Sequence, residues 1–304
     1  MPAEWVAVDW GTSNLRAWGV AADGATTFSR SSGQGMGTLK PADYPAVLAT
    51  LLGDTADIGN GHVDVIICGM AGARQGWLEA PYLDAPADLG GLIFGAVQPE
   101  MPNSRLAPRI LPGVCQKTAT AEDVMRGEET QLLGLAALLP GFSGVAVMPG
   151  THSKWAQLTG SRVEQFATVM TGELYDILGH YSVLRHSLAG RTDGPERGAG
   201  FDAGLTLGLE APQKLTSVLF KVRAGSLLSG RPPDWCAGFL SGLLIGTEIG
   251  GQRDWIGEAE IPLIGSSSLC ALYAKGFAAL GARTTIIDAT EATLAGLKAA
   301  RKQA

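Results

Sequence analysis

The sequence predicts an α/β chain of two related domains facing each other across a ligand-binding cleft. Three observations carry this expectation. Residues 6–20, V-A-V-D-W-G-T-S-N-L-R-A-W-G-V, read as an apolar strand, a tight turn and a returning strand. Residues 144–158, G-V-A-V-M-P-G-T-H-S-K-W-A-Q-L, repeat the device: with Val145 set on Val6, V-A-V-x-x-G-T matches residue for residue. Internal symmetry of this kind suggests duplicated units. Finally, the apolar run 63–68, V-D-V-I-I-C, ends in the glycine-rich loop 69–77, G-M-A-G-A-R-Q-G-W. Sheets covered on both faces use such strands, and α/β folds place ligands at their C-terminal ends.

The first turn carries Asp9, Gly11, Thr12, Ser13 and Asn14. Glycine lets backbone N–H groups approach phosphate oxygens, and hydroxyls add donors. Asp9 has the chemistry to hold Mg²⁺ through its water shell. Arg16, on the returning strand, is available to a second anion. Taken alone, Gly11–Thr12 is equally compatible with a plain hairpin. The matching Gly150–Thr151 turn shifts the balance toward nucleotide phosphate.

Along the chain, a third strand is expected near residues 25–30, a loop at 33–37 and a helix at 42–53. In the loop after 63–68, Arg74, Gln75 and Trp77 carry recognition chemistry, and the planar fork of Arg74 suits a carboxylate. Residues 109–112 read as a short strand and 113–115 as a turn. Residues 121–139 read as a helix whose middle, R-G-E-E-T-Q, contains Gly127; that glycine either loosens the helix or marks its true start. Glu128–Glu129 then offers a general base or serves only the helix N-terminus. Leu139-Pro140-Gly141 is the expected domain boundary, giving an N-terminal lobe of residues 1–140 and a C-terminal lobe of residues 141–304.

In the second half, residues 163–166 continue a sheet, and Thr171 or Glu173 either faces the phosphates or, as the favoured reading, caps the next helix. Residues 175–188, 201–209 and 212–228 look helical, with a polar, glycine-rich loop at 191–200. Residues 234–251 form an apolar helix in which Gly238, Gly242 and Gly246 recur every four residues, the spacing of close helix packing. Residues 261–264, a turn at Gly265-Ser266-Ser267-Ser268 and a helix at 269–280 make a place for a nucleotide's phosphate or ribose. A strand at 284–288 and a helix at 291–302 close the chain.

Composition excludes several classes. The chain has 304 residues, 46% of them hydrophobic and 17% charged, enough for a large core. Its net charge of -6 leaves no basic face for nucleic acid. No signal peptide or membrane span is read. The 4 cysteines are scattered without a C-x-x-C pair, which fits a reducing cytoplasm.

Together these residues resemble the actin-like ATPase superfamily that includes the hexokinases. D-W-G-T-S-N-L-R and P-G-T-H-S-K-W resemble its two phosphate motifs, and R-G-E-E-T-Q-L-L-G resembles the connecting motif that bears the catalytic carboxylate in many of its sugar kinases. I-P-L-I-G-S-S-S-L-C-A-L-Y-A-K-G-F resembles the adenosine motif, and T-E-A-T-L-A-G-L the last connecting helix. The resemblance implies two ribonuclease H-like domains flanking a central cleft, with the last helix at the hinge. More narrowly, with G-M-A-G-A-R-Q-G-W-x-E-A-P-Y added, the set is similar to the kinases of 2-keto-3-deoxygalactonate, which use ATP and Mg²⁺ to phosphorylate O6 of that sugar acid.

What the resemblance implies for this chain is specific. Asp9 serves the metal; Gly11, Thr12 and Ser13 meet the transferred phosphoryl group. Gly150 and Thr151 hold the β- and γ-phosphates, where Lys154 either adds a positive charge or is simply solvated, with Gly265 and Ser266 on the nucleoside side. Glu128 is the base, although many related kinases carry Asp there, and Glu129 stays an alternative. Arg74, with Gln75 and Trp77, binds the sugar acid, and Arg16 or Arg126 is a further carboxylate ligand. A homodimer is compatible with this family. Two alternatives stay open: a kinase for another sugar or sugar acid, and a non-catalytic nucleotide- or sugar-gated regulator.

Overall fold

The computed structural model describes residues 2–53, 61–102 and 105–303. In chain order the strands and helices are β1 (Trp5–Trp10), β2 (Leu15–Val20), β3 (Thr26–Ser32), α1 (Tyr44–Leu52), β4 (Val63–Gly69), β5 (Tyr82–Asp84), β6 (Ala87–Asp88), β7 (Leu106–Ile110), β8 (Gly113–Gln116), β9 (Asp123–Met125), α2 (Glu128–Leu138), β10 (Ser143–Met148), β11 (Ser153–Thr159), β12 (Arg162–Val169), α3 (Thr171–Tyr181), α4 (Arg197–Glu210), α5 (Leu215–Ser229), α6 (Pro233–Gly251), β13 (Ile261–Gly265), α7 (Ser267–Ala279), β14 (Thr284–Asp288) and α8 (Ala289–Arg301). They fall into two compact units. The first comprises residues 1–143, 156–166 and 289–304; the second comprises residues 144–155 and 167–288.

The first unit is built on a five-stranded sheet of order β3-β2-β1-β4-β7. β1, β4 and β7 run parallel, while β2 pairs antiparallel with β1 on one side and with β3 on the other. β1 and β4 are apolar along nearly their whole length and buried, as strands covered on both faces must be. Trp10, Tyr44 and Trp77 cluster in this core, with Trp77 stacked on Tyr44 at 5.8 Å between ring centroids. α8 packs on α2, where a Cβ at Gly134 would collide with the Ala292 carbonyl, and one at Gly296 with the Thr130 carbonyl. Asp64 of β4 pairs with Arg301 at 2.9 Å and with Arg109 at 3.7 Å, fastening the end of α8 to the sheet. A smaller sheet, β5-β8-β9, lies in the same unit.

That small sheet corrects two sequence expectations. Residues 113–115 form a strand, and residues 123–125 are not helical but pair antiparallel with β8. The helix begins only at Glu128, because Gly127 sits at φ +108°, outside the helical region.

The second unit carries the parallel strands β10, β13 and β14, with β13 between the other two. β11 begins in this unit and its far half lies in the first, as does the start of β12, where Arg162 and Val163 pair with Asp88 and Ala87 of β6. Val145, Val147, Trp155, Leu263, Tyr273 and Phe277 are among the residues of its sheet-side core. Among the described residues, α4 and α6 share the most extensive helix contact. A Cβ at Gly238 or Gly242 would strike the carbonyl of Arg197 or Phe201; one at Gly200 or Gly204 would strike that of Trp235 or Phe239. The expected glycine-rich loop at 191–200 is therefore helical from Arg197. Thr171 and Glu173 do not cap α3, whose N-cap Met170 has no side-chain cap bond.

Candidate active site

In the first unit, β1 and β4 are parallel neighbours, so their C-terminal ends lie together, with Asp9 opposite Cys68 and Trp10 opposite Gly69. Gly69, at φ +88°, has no room for a Cβ against the Trp10 carbonyl, and that Cβ would lie 3.5 Å from Asp9 Oδ1. A Cβ at Gly127 would sit 3.4 Å from Gly69 Cα. Asp9, the end of β4 and the start of α2 therefore converge. Two positive-φ glycines are the local reason: Gly69 permits a backbone approach that a side chain would block, and Gly127 takes a φ that other residues rarely adopt.

The first turn closes through Gly11 N–H donating to the Asn14 carbonyl at 2.8 Å, leaving Thr12, Ser13 and Asn14 exposed. The loop at 33–37, read from the sequence as a bare connection, holds this turn. Met36 N–H donates to Gly11 O, Gly37 N–H donates to Thr12 O, and Trp10 Nε1 donates to Gln34 O. Gly35 lies so close to the Thr12–Ser13 backbone that no Cβ fits. The glycines of G-Q-G-M-G were the available signal.

Asp9 forms a 2.6 Å ion pair with Arg16, its partner across the hairpin, and Arg16 also donates to Thr290 Oγ1 at 2.7 Å. Arg16 is thus engaged with the metal candidate and α8. Glu128, the first residue of α2, is half-buried and accepts from Arg126 N–H at 3.1 Å. Glu129 is fully buried and folds back to accept from Gly127 N–H at 2.7 and 2.9 Å and from Thr130 Oγ1. Burial, and after it the Glu128 charge, pushes its carboxyl up to about 8. Buried Cys68, beside Asp9 and Glu129, is likewise pushed well up, mainly by burial.

Arg126 stacks its guanidinium 4.2 Å over Tyr82 and donates through Nη2 to the Ala80 carbonyl, while Nε and Nη1 are buried without a hydrogen-bond partner. Arg74 and Gln75 are exposed, and Arg74 reaches Glu79 at 3.4 Å. Trp77 is placed in the aromatic core.

In the second unit, Gly150 and Thr151 form the turn between β10 and β11, with Thr151 exposed and open space where a Gly150 Cβ would go. Lys154 is buried at 5% exposure rather than solvated. Glu173 N–H donates to the Thr151 carbonyl, and its carboxylate lies 2.6 Å from His152 Nε2. Gly265 adjoins this turn: a Cβ there would lie 3.4 Å from the Pro149 carbonyl. Ser266 N-caps α7 by accepting from Leu269 N–H, and Ser267 and Ser268 are exposed in its first turn. The first N–H groups of a helix such as α7 have no partner within the helix, an arrangement suited to an anionic ligand.

Known proteins share this sequence and architecture. A family model described as 2-keto-3-deoxy-galactonokinase matches residues 9–300. A Rhizobium meliloti protein named as a probable 2-dehydro-3-deoxygalactonokinase is 42% identical over 299 residues, 98% of this chain and 96% of its own. The 2-dehydro-3-deoxygalactonokinase of Escherichia coli is 39% identical over 301 residues, covering 98% and 97%. A solved structure from Sinorhizobium meliloti, assigned to the same activity, superposes with a TM-score of 0.91 at 42% identity and 98% coverage of each chain. At 11% identity, component A of the Acidaminococcus fermentans (R)-2-hydroxyglutaryl-CoA dehydratase shares the fold alone, with a TM-score of 0.51 and 98% coverage of each chain. The fold is that of the actin-like ATPases, and the chain belongs to the 2-keto-3-deoxy-galactonokinase family.

Proposed function

We propose that this chain transfers the γ-phosphoryl group of ATP to the 6-hydroxyl of 2-keto-3-deoxygalactonate, with Glu128 as the general base. Family membership supports the activity. The observation that carries the residue assignment is the contrast between the two adjacent glutamates. Glu129 is sealed from solvent, bonded to its own helix start and raised to about 8, so at neutral pH it is mostly protonated. Glu128 is only half-buried at the same helix start, beside the convergence of Asp9 and Gly69. A base must reach the substrate hydroxyl and be ionised.

Phosphoryl transfer depends mainly on positioning and on neutralising charge. In this reading the exposed Thr12 and Ser13, with Gly11, meet the transferred group. Gly150 and Thr151, with buried Lys154 beneath, hold the ATP phosphates; Gly265 and the open N-terminus of α7 serve the nucleoside. Arg74, Gln75 and Arg126, on or against the loop after β4, receive the sugar acid. Among the described residues no group of three or more His, Cys, Asp or Glu is arranged to hold a metal by protein alone. That donor set fits Mg²⁺ entering with ATP, since Mg²⁺ is usually held by one or two carboxylates together with phosphates and water. Asp9 would supply the carboxylate, and bound Mg²⁺ would neutralise phosphate charge. No helix among the described residues is long and apolar enough to cross a membrane. All four thiols are free and buried, which suits a reducing compartment such as the cytoplasm.

Steady-state kinetics of Glu128→Gln test the assignment. The expected result is a fall in kcat of about 10²- to 10⁴-fold, the usual contribution of a positioned base, with the Michaelis constants little changed. A kcat within a fewfold of wild type removes Glu128 from that role.

A further inference from the structure

Behind the phosphate turn of the second unit lies a buried carboxylate with no part in the chemistry above. Glu248 of α6 is 4% exposed. Trp155 Nε1 donates to its Oε1 at 2.8 Å, and the Tyr273 hydroxyl donates to its Oε2 at 2.5 Å. The hydroxyls of Ser153 and Thr171 bond it as well. Ser153 Oγ also lies 2.9 Å from the Tyr273 hydroxyl. A carboxylate offers about four acceptor positions, and these four side chains fill them. Burial raises the carboxyl's pKa while all four hydrogen bonds oppose the rise.

The four donors come from three elements: β11, α3 and α7. Two of them bracket the phosphate turn, since Ser153 follows His152 directly and Thr171 opens α3. α3 is itself seated on the turn. Glu173 N–H donates to the Thr151 carbonyl at 3.0 Å, and a Cβ on Gly172 would collide with the Gly150 carbonyl. Packing does not explain a carboxylate here, because burying one carries a desolvation penalty that an apolar side chain avoids. A fully bonded buried network instead fixes one arrangement of its members.

We propose that Glu248 is a positioning residue for the ATP phosphates: it touches no nucleotide, and it sets the conformation of the Gly150–Thr151–His152 turn through Ser153 and Thr171. The proposal rests on the reading that this turn binds ATP. Glu248→Gln keeps the volume but replaces acceptor positions with donors facing hydroxyl groups. The expected result is a fall in kcat/KM for ATP of roughly 10- to 100-fold, as a displaced binding group gives, carried mainly by KM. KM for the sugar acid at saturating ATP stays within about twofold of wild type. Tyr273→Phe, which removes one donor and leaves the carboxylate, is expected to show a smaller loss with the same selectivity for ATP, and it decides the matter if the glutamine variant does not fold. ATP parameters within about twofold of wild type in the folded variants overturn the proposal, as does an equal rise in both Michaelis constants. Wild-type protein that produces no ADP would instead overturn the kinase reading on which the proposal stands.

Discussion

Glu128 and Glu129 carry the same carboxyl one residue apart and meet different surroundings. Gly127 turns the chain at φ +108°, α2 starts on the next residue, and the helix then points Glu129 inward. The consequence can be measured as a dependence of stability on pH. In the unfolded chain this carboxyl ionises near its ordinary value of 4.5; in the fold it holds its proton up to about 8. The protonated form therefore stabilises the fold relative to the ionised one. That contribution is full below the unfolded value, is eroded as pH rises, and is gone above the folded value. Glutamine cannot ionise, so between pH 5.5 and 8.5 the wild type is expected to lose stability relative to Glu129→Gln by an amount on the order of a few kcal/mol. Parallel melting-temperature curves for the two proteins would contradict the buried, protonated state. None of this was legible from the sequence. The pair E-E was visible as chemistry, but which member faces inward depends on how Gly127 meets Gly69, a contact between residues 58 positions apart.

Among the elements, α4 and α6 show what a run of small residues does. Their glycines interlock at backbone distance, and the two helices run in the same direction, with Gly200, Gly204 and Gly208 set against the Trp235, Phe239 and Leu243 carbonyls. Gly242→Ala gains helix propensity of about 1 kcal/mol but forces a methyl into the Phe201 carbonyl. Overpacking of this kind usually costs about 1–3 kcal/mol, and a backbone neighbour cannot rotate away, so a net loss of stability is expected. Gly198→Ala, on the same helix pair but facing open space, is expected to be neutral or stabilising by up to about 1 kcal/mol. Chemical denaturation of both variants checks the contrast, and equal effects would contradict it. The sequence displayed Gly238, Gly242 and Gly246 within an obvious apolar helix. It hid their partners, because R-T-D-G-P-E-R-G-A-G is polar enough to read as loop until α6 gives it a surface to pack on. β8 and β9 were hidden because A-E-D-V-M has helical character alone, and its strand state comes from antiparallel pairing with β8 just upstream, which in turn pairs with β5.

For the whole molecule, the features legible from sequence were those with local physical signatures. Both G-T turns form between strands, β1 with β2 and β10 with β11, as the repeated V-A-V-x-x-G-T pattern implies. β4 and β14 are almost fully apolar or sharply bounded, and their limits were readable to within a residue. Features that depend on distant partners were not readable: the clamp of residues 34–37 on the first turn, the placement of Trp77 in the aromatic core, and the Glu248 network. The chemistry proposed for the molecule is most directly tested by ADP release from the wild-type protein with ATP, Mg²⁺ and 2-keto-3-deoxygalactonate, run beside the gluconate epimer, with ³¹P NMR of the product. The expected result is saturable ADP formation that requires the sugar acid, one new phosphate monoester at C6, and a higher kcat/KM for the galacto compound. ATP binding without a phosphorylated sugar acid, or turnover of the gluco epimer alone, would contradict it.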